Sequence, residues 1–351
     1  MKKIKNERII YLDVLNILAI LAVISMHMNG IVHINPNIRA WNTSLIIDCI
    51  MYWAVPVFMM ISGATLMNYR EKYDTKTFFK KRATKILIPF LFWAIFMFLW
   101  KSATKQLSDF NYNDDKYLIN AFFSNQEEST YYFLFEILGV YLTMPILSLL
   151  TKKEERKTLW FIVIAFFIFN GFFPNILGLF EIYWNDALGI RINGYLIYVL
   201  LGYLLSTEDL SKKQRISIYI GALIGLIYRY TTTFTLSKAS GIVTRTTWGY
   251  FSWHCMLLSC SVFIFVKGLQ LDKKLKNKNK TKTIKLLSTI SSCSFGIYLI
   301  HIIIKYYLTY WLNWDVYSWS YRTIGIVTTY CVSLVVVYLL KKVPYLNRVV
   351  P

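Results

Sequence analysis

Histidines at membrane depth are the residues of this chain best suited to acid–base chemistry. The chain has four histidines, and His27, His254 and His301 each lie inside a long apolar run, toward its outward end. An imidazole has an unperturbed pKa of about 6.5, so it can take or give a proton near neutral pH. A base of this kind turns a hydroxyl group into a usable nucleophile. The three histidines are therefore the best pointers to a functional site inside the membrane.

A polar stripe runs along the first apolar segment. At about 100° per residue, Asn16 and His27 lie within roughly 20° of one another, and Asp13 lies within roughly 60° of both. Ionisable groups at this depth cost about 2.5–3.5 kcal/mol each, so they normally face a partner or a cavity. We expect the stripe to face the bundle interior or a wet cavity. In the alternative, Asp13 caps the helix at the interface and His27 sits in the outer headgroup region.

Two later segments carry similar polar groups. In the ninth segment, Ser294, His301 and Lys305 fall within about 60° of arc. In the eighth segment, the pattern around His254 is equally compatible with a functional role and with a histidine that is hydrogen-bonded at a helix interface. Glu136, at the start of the fourth segment, and Asp48, at the start of the second, are also near the outer leaflet, and either carboxylate could orient an imidazole.

A basic cluster precedes the third apolar segment. It contains Lys81, Arg82 and Lys85, and the last two, three residues apart, would share a helical face. Two cations on one face make a fork for phosphate. A generic cluster of cytoplasmic positive charge accounts for the same spacing equally well.

Membrane helices must position these groups. The chain of 351 residues is 56% hydrophobic, above the roughly 45–50% of soluble domains. Since about 20 helical residues cross a bilayer core, the apolar runs predict an all-α polytopic transmembrane helical bundle of about ten helices. We predict a single integral membrane domain over residues 1–351. The predicted segments are 9–29, 45–67, 86–104, 131–150, 159–179, 193–206, 216–235, 248–268, 286–307 and 323–340.

The charge distribution sets the predicted topology. The net charge of +20 comes largely from Lys and Arg in short loops between apolar runs, which by the positive-inside rule places both termini in the cytoplasm. The same loops lack the interleaved aromatic residues of a nucleic-acid surface, so we expect no nucleic-acid partner. No Cys/His cluster has the spacing of a metal site, and we expect no metal. The lipid bilayer is a predicted partner, and the pattern predicts no particular oligomeric state.

Five short motifs resemble those of the acyltransferase-3 group of bacterial O-acyltransferases. The resemblance covers nearly the whole chain and is weakest between about 205 and 247. The motifs lie at 11–16 together with His27, 55–63, 78–89, 141–145 and 294–301. Two positions depart from the family pattern. Asn16 stands where an arginine usually precedes the histidine by eleven positions, and Lys85 replaces the second arginine of a loop pair.

The resemblance implies a multi-pass O-acyltransferase of a bacterial cell membrane. It is similar to the short members without a soluble esterase-like domain, such as the enterobacterial common antigen O-acetyltransferase type. Such a protein would move an acyl group, with acetyl expected, from cytoplasmic acyl-CoA to a hydroxyl of a cell-surface or lipid-linked glycan. Acyl-CoA would be the donor substrate, and no cofactor is implied. The alternative is a membrane exporter or flippase of a glycan or glycan precursor, although no inverted repeat or paired broken helices indicate one.

The resemblance also implies roles for the residues singled out above. His27 is expected to be the general base or a transient acyl carrier, oriented by Asp13 or Glu136. His301 and Tyr141 are expected to shape the cavity or stabilise the oxyanion. The other residues expected at the substrate sites are Asn16, Ser62 and His254, with Lys81, Arg82 and Lys85 near the phosphates of CoA.

Overall fold

The computed structural model describes residues 8–107, 114–126, 128–277 and 280–351, and every regular element in these ranges is helical. The α-helices are α1 (Ile10–Met28), α2 (Trp41–Met51), α3 (Ala54–Leu66), α4 (Thr75–Arg82), α5 (Ile88–Ala103), α6 (Asp115–Phe123), α7 (Tyr132–Leu147), α8 (Arg156–Phe166), α9 (Phe173–Gly178), α10 (Gly194–Thr207), α11 (Lys212–Ser240), α12 (Trp253–Gly268), α13 (Leu271–Asn277), α14 (Thr281–Trp311) and α15 (Ile324–Leu340). Wider π-helical turns join α4 to α5 (Ala83–Leu87) and α8 to α9 (Phe167–Phe172).

These helices form a polytopic membrane bundle. Within the described residues, 7 helical stretches, some with a short break or a wide turn, are long and apolar enough to cross a membrane. They are Ile10–Met28, Trp41–Glu71, Thr75–Ala103, Ser129–Thr151, Lys153–Gly178, Trp253–Leu275 and Thr281–Trp311. The shorter apolar helices α10 and α15, together with the 29-residue α11, account for the other three predicted segments. The predicted all-α transmembrane bundle is confirmed.

Helix α1 lies at the centre of the bundle. It packs against α2, α3, α12, α14 and α15. Leu15 and Ile20 of α1 have no exposed surface, whereas Leu18 is exposed. The Asp272 carboxylate accepts from the backbone N–H of Ile10 at 2.7 Å, so a side chain from α13 caps the start of α1. The polar stripe of α1 is therefore held inside the bundle.

Two glycines allow α3 and α10 to cross at close range. A Cβ atom added at Gly63 would lie 1.9 Å from the Val199 carbonyl oxygen, and one added at Gly202 would lie 1.9 Å from the Met60 carbonyl oxygen. Small residues at such crossings let two membrane helices pack backbone to backbone. This contact fixes the position of Ser62, the neighbour of Gly63.

Proline explains where the helical stretches are interrupted. The predicted segment 45–67 is two helices, broken at Tyr52 and Trp53, and Tyr52 lies four residues before Pro56. The two π-helical turns likewise end directly before the helices that begin with Pro89 and Pro174 near their first position. Proline has no N–H to give to the carbonyl four residues earlier, so the helix widens or breaks at that point.

Both ends of the described chain lie at the same end of the bundle. Arg8 donates to the Ser288 carbonyl at 2.9 Å, and Lys341, just after α15, donates to the Ser292 carbonyl at 2.7 Å. Both acceptors belong to the first half of α14. The arrangement agrees with the prediction that the termini share one side, and we call this the inner end.

Candidate functional site

Two histidines from different helices meet in the half of the bundle away from the chain ends. His27 lies in the last turn of α1 and His301 in α14, and their ring centroids are 5.2 Å apart. His301 is fully buried, whereas His27 is half-buried. Lys305, one turn beyond His301, donates to the His27 carbonyl at 3.3 Å, which places a cation at the C-terminal end of α1. This pair is the best candidate for acid–base chemistry.

The hydrogen bonding of His301 fixes its tautomer. Its Nδ1 atom lies 2.7 Å from the carbonyl oxygen of Tyr298. A carbonyl can only accept, so Nδ1 carries the proton of the neutral ring and Nε2 carries the lone pair. Nε2 is buried and finds no hydrogen-bond partner in the described part of the chain. His301 is therefore held as a proton acceptor beside His27.

A cavity of about 290 Å³, which we call the outer cavity, opens in front of His27. Five segments of the chain line it, and many of the lining side chains are aromatic or titratable. The lining residues are Val23, Met26, His27, His33, Asp48, Tyr52, Val55, Thr130, Tyr132, Phe133, Trp248, Tyr250 and Tyr298. Such a mixture of stacking surfaces and hydrogen-bonding groups suits a polar organic ligand.

A second cavity of about 270 Å³, the inner cavity, lies toward the inner end. It contains three of the residues expected at the substrate sites, since Asn16, Ser62 and Tyr141 all line it. The other lining residues are Phe58, Ile61, Ile86, Phe133, Ile137, Ser291, Ser292, Ser294, Phe295 and Tyr298. Asn16 donates to the Ser291 carbonyl at 2.9 Å, which fixes its amide against α14.

The two cavities meet at a pair of aromatic rings. Phe133 and Tyr298 line both cavities, and their ring centroids are 5.5 Å apart. The Tyr298 hydroxyl donates to the Thr130 carbonyl, which anchors this wall. Asn16 and His27 are about 16 Å apart along α1. The two rings therefore lie between the inner cavity and His27, on the path of a long flexible ligand that reaches from one cavity to the other.

The three predicted cations at the inner end point in different directions. The Arg82 guanidinium lies 5.5 Å over the ring of Tyr141, and its buried Nε has no hydrogen-bond partner among the residues described. The Lys81 ammonium instead lies 3.8 Å over the ring of Tyr73, and the Lys85 side chain is exposed. A wide turn begins between Arg82 and Lys85, so a three-residue spacing no longer keeps them on one α-helical face. Of these three cations, Arg82 is the one that lies over a residue lining the inner cavity, Tyr141.

The structure does not bring Asp13 to His27, so the expected orienting role needs correction. The Asp13 carboxylate accepts from Arg8 at 2.6 and 2.9 Å. Fourteen residues of α-helix also separate it from His27, which is about 21 Å. Asp13 therefore pairs with Arg8 at the inner end of the bundle.

Glu136 and His254 also lie away from the histidine pair. The Glu136 side chain interacts with Asn193. His254 is buried where α12 packs on α11, with its Cβ only 2.7 Å from where a side chain at Gly225 would begin. Neither residue lines the outer or the inner cavity. The helix-interface alternative for His254 fits this placement better than substrate binding.

Sequence reasoning did not find the ion pair at the outer cavity. Arg229 of α11 donates to Asp48 of α2 at 2.5 Å, and its guanidinium lies 3.5 Å over the ring of Tyr52. An arginine inside the apolar run 216–235 was the signal that could have indicated a buried partner. His33 was also missed, because it lies in a short turn after α1 and outside every apolar segment.

One comparison with known proteins gives a match. The sequence profile of a family described as an acyltransferase domain matches residues 9–338, a range that includes every residue lining the two cavities. No curated protein and no solved structure matches the chain. The profile confirms the resemblance drawn from the five motifs.

Proposed function

Since the chain belongs to the acyltransferase-3 family, we propose that this membrane acyltransferase moves an acyl group, acetyl in the simplest case, from cytoplasmic acyl-CoA to a hydroxyl of a cell-surface or lipid-linked glycan. The observation that carries the proposal is the pair of cavities that meet at Phe133 and Tyr298. One cavity lies beside the basic inner end, and the other contains His27. The membrane in question is the bacterial cell membrane.

The donor enters through the inner cavity. Coenzyme A is cytosolic and polyanionic, and the Arg82 guanidinium beside Tyr141 places a cation for a phosphate near the inner cavity. The exposed Lys81 and Lys85 add charge to the same end. Where the family usually has an arginine, Asn16 keeps an amide oxygen that can accept from an amide N–H of the pantetheine arm, which an arginine cannot do. Ser62 and Tyr141 then belong to the donor channel.

The transfer step takes place at His27. The acceptor hydroxyl gives its proton to the His27 imidazole while its oxygen attacks the thioester carbonyl carbon. A C–O bond forms, the C–S bond breaks, and coenzyme A leaves as a thiolate that recovers the proton from the imidazolium. His301 supports this step as a positioning residue, because its free Nε2 is an acceptor beside the His27 ring and can take a hydrogen bond once that ring is protonated.

Purified protein incubated with radiolabelled acetyl-CoA tests the proposal. An acyltransferase releases coenzyme A, by transfer or by slow hydrolysis, and His27→Ala should reduce that release by about 10²- to 10⁴-fold. The matched control is His254→Ala, since His254 is also a membrane-embedded histidine but lines neither cavity. An exporter or flippase would leave acetyl-CoA intact in every variant, and that result would refute the proposal.

A further inference from the structure

The Asp48–Arg229 pair is a costly feature that stability does not explain. Both side chains are almost completely buried, at 5% and 1% exposure. A buried ion pair rarely stabilises a fold relative to apolar residues of similar size, because two charges lose their hydration. In a membrane, such groups normally mark a functional site. Two of the three Arg229 nitrogens, Nε and one terminal nitrogen, find no hydrogen-bond partner in the residues described.

The pair presents one carboxylate oxygen to the outer cavity. Asp48 lines this cavity, whereas Arg229 does not. Arg229 binds the Oδ2 atom of Asp48, and within the described residues Oδ1 makes no hydrogen bond. Arg229 also packs on one face of Tyr52, whose ring stacks on Tyr250 at 4.3 Å and 9°. The carboxylate is therefore held rigidly, with a free acceptor atom in the cavity that contains His27.

The other walls of the cavity suit a sugar ring. Trp248 is half-buried, lines the cavity and has its ring 5.1 Å from that of His33. An indole face gives an apolar surface on which the C–H face of a pyranose can lie. The volume of about 290 Å³ is at the small end of ligand sites, enough for one sugar unit.

Since Asp48 is fixed, lines the cavity and has a free oxygen, we propose that it binds the acceptor. Its Oδ1 accepts a hydrogen bond from one hydroxyl of an uncharged pyranose. A neighbouring hydroxyl lies beside His27, and the indole of Trp248 covers the sugar ring. The inference rests on the proposed function and adds a substrate class to it. A carboxylate in place of that hydroxyl is disfavoured, because an ionised carboxylate has no proton to donate to the Oδ1 atom of Asp48.

The first variant separates recognition from stability. Replacing both charged partners (Asp48→Leu with Arg229→Met) removes the ion pair without leaving an unpaired charge, so the protein should still insert and unfold at a similar temperature. If Asp48 binds the acceptor, the KM for the sugar should rise roughly 10- to 100-fold, as for loss of a hydrogen bond to a charged group. If the pair only holds α2 to α11, that KM should stay within twofold of wild type, which would overturn the proposal.

The second variant tests the aromatic wall and leaves both charged partners in place, although the Arg229 guanidinium lies 5.9 Å over the Trp248 ring. Trp248→Ala should raise the KM for the sugar at least threefold, and Trp311→Ala, a matched change at a 71% exposed tryptophan, should leave it unchanged. Equal KM values for the two variants would contradict a sugar on Trp248.

The probes are methyl glucopyranoside, methyl N-acetylglucosaminide and methyl glucuronide, each with labelled acetyl-CoA. Wild-type protein should transfer label to at least one neutral pyranoside, and at least tenfold more slowly to the glucuronide. Preference for the glucuronide, or hydrolysis of acetyl-CoA with no transfer to either neutral sugar, would overturn the proposal. If acetyl-CoA is not consumed at all, it is the acyltransferase function that fails.

Discussion

Replacing Gly202 by alanine should loosen the crossing of α3 and α10. The new Cβ atom would lie 1.9 Å from the Met60 carbonyl oxygen and 2.4 Å from the Met60 Cα atom. Non-bonded atoms prefer about 3.5 Å, so the two helices would have to separate by about 1.5 Å. Overpacking of this kind destabilises a protein by about 1–3 kcal/mol. The higher helix propensity of alanine relative to glycine offsets up to about 1 kcal/mol of this loss. We therefore expect a net loss of about 1–2 kcal/mol.

The matched control, Gly139→Ala, should change the free energy of unfolding in the opposite direction or leave it unchanged. Gly139 is exposed within α7, and a Cβ atom added there would meet nothing within 4 Å. Gly139→Ala should therefore be neutral or should stabilise the protein by up to about 1 kcal/mol, since only the propensity term remains.

Reversible unfolding in mixed detergent micelles measures both variants against wild type. Gly202→Ala should unfold at lower denaturing-detergent concentration, and Gly139→Ala at the same or a higher one. A Gly202→Ala protein as stable as wild type would show that the close crossing is not a rigid contact, and the fixed placement of Ser62 would lose its support.

Three further predictions concern the site and its surroundings. Arg82→Ala should raise the KM for acetyl-CoA roughly tenfold or more, because it removes the cation beside the inner cavity, whereas Lys81→Ala should change that KM less than threefold. Tyr298→Ala should increase acetyl-CoA hydrolysis relative to transfer, because it opens the wall between the cavities to water. Burial raises the pKa of the Glu128 carboxyl, but the Lys101 ammonium and a backbone N–H outweigh it, so the net pKa is below its ordinary value. This pair should therefore stabilise the protein fully above about pH 4.3 and progressively less as the pH falls through the lower folded-state pKa.

Steady-state kinetics with acetyl-CoA check the first two predictions, and melting temperature against pH checks the third. Equal donor KM values for the Arg82 and Lys81 variants would move the phosphate site elsewhere. An unchanged ratio of hydrolysis to transfer in Tyr298→Ala would mean that the ring does not close the passage. Glu128→Gln should flatten the acid side of the stability profile, and a profile identical to wild type would contradict the stabilising role of the pair.

The membrane architecture could be predicted almost completely from the sequence. Apolar runs of sufficient length located the helices, because a single segment in lipid satisfies its own backbone hydrogen bonds only as a helix. Helical periodicity also predicted correctly that Asn16 and His27 face the interior, where they line the two cavities. The functional roles of these side chains remain predictions.

Partners across the bundle could not be predicted in the same way. Periodicity gives the direction of Asp13 but not its neighbour, and the structure pairs it with Arg8 rather than with His27. Arg229 and Asp48 are 181 positions apart, and no local pattern links them. The wide turn Ala83–Leu87 separates the directions of Arg82 and Lys85, although Pro89, its cause, is visible in the sequence. Local rules predict helices, whereas tertiary packing decides which polar groups meet.

The central claim is that a thioester supplied at the inner end reacts at the His27 imidazole. Vesicles that hold the protein with its inner end outward, with labelled acetyl-CoA outside and methyl glucopyranoside inside, test it directly. Wild-type protein should label the enclosed sugar, and His27→Ala should do so about 10²- to 10⁴-fold more slowly. Wild-type rates in His27→Ala, or equal labelling when acetyl-CoA is confined to the vesicle interior, would contradict the claim.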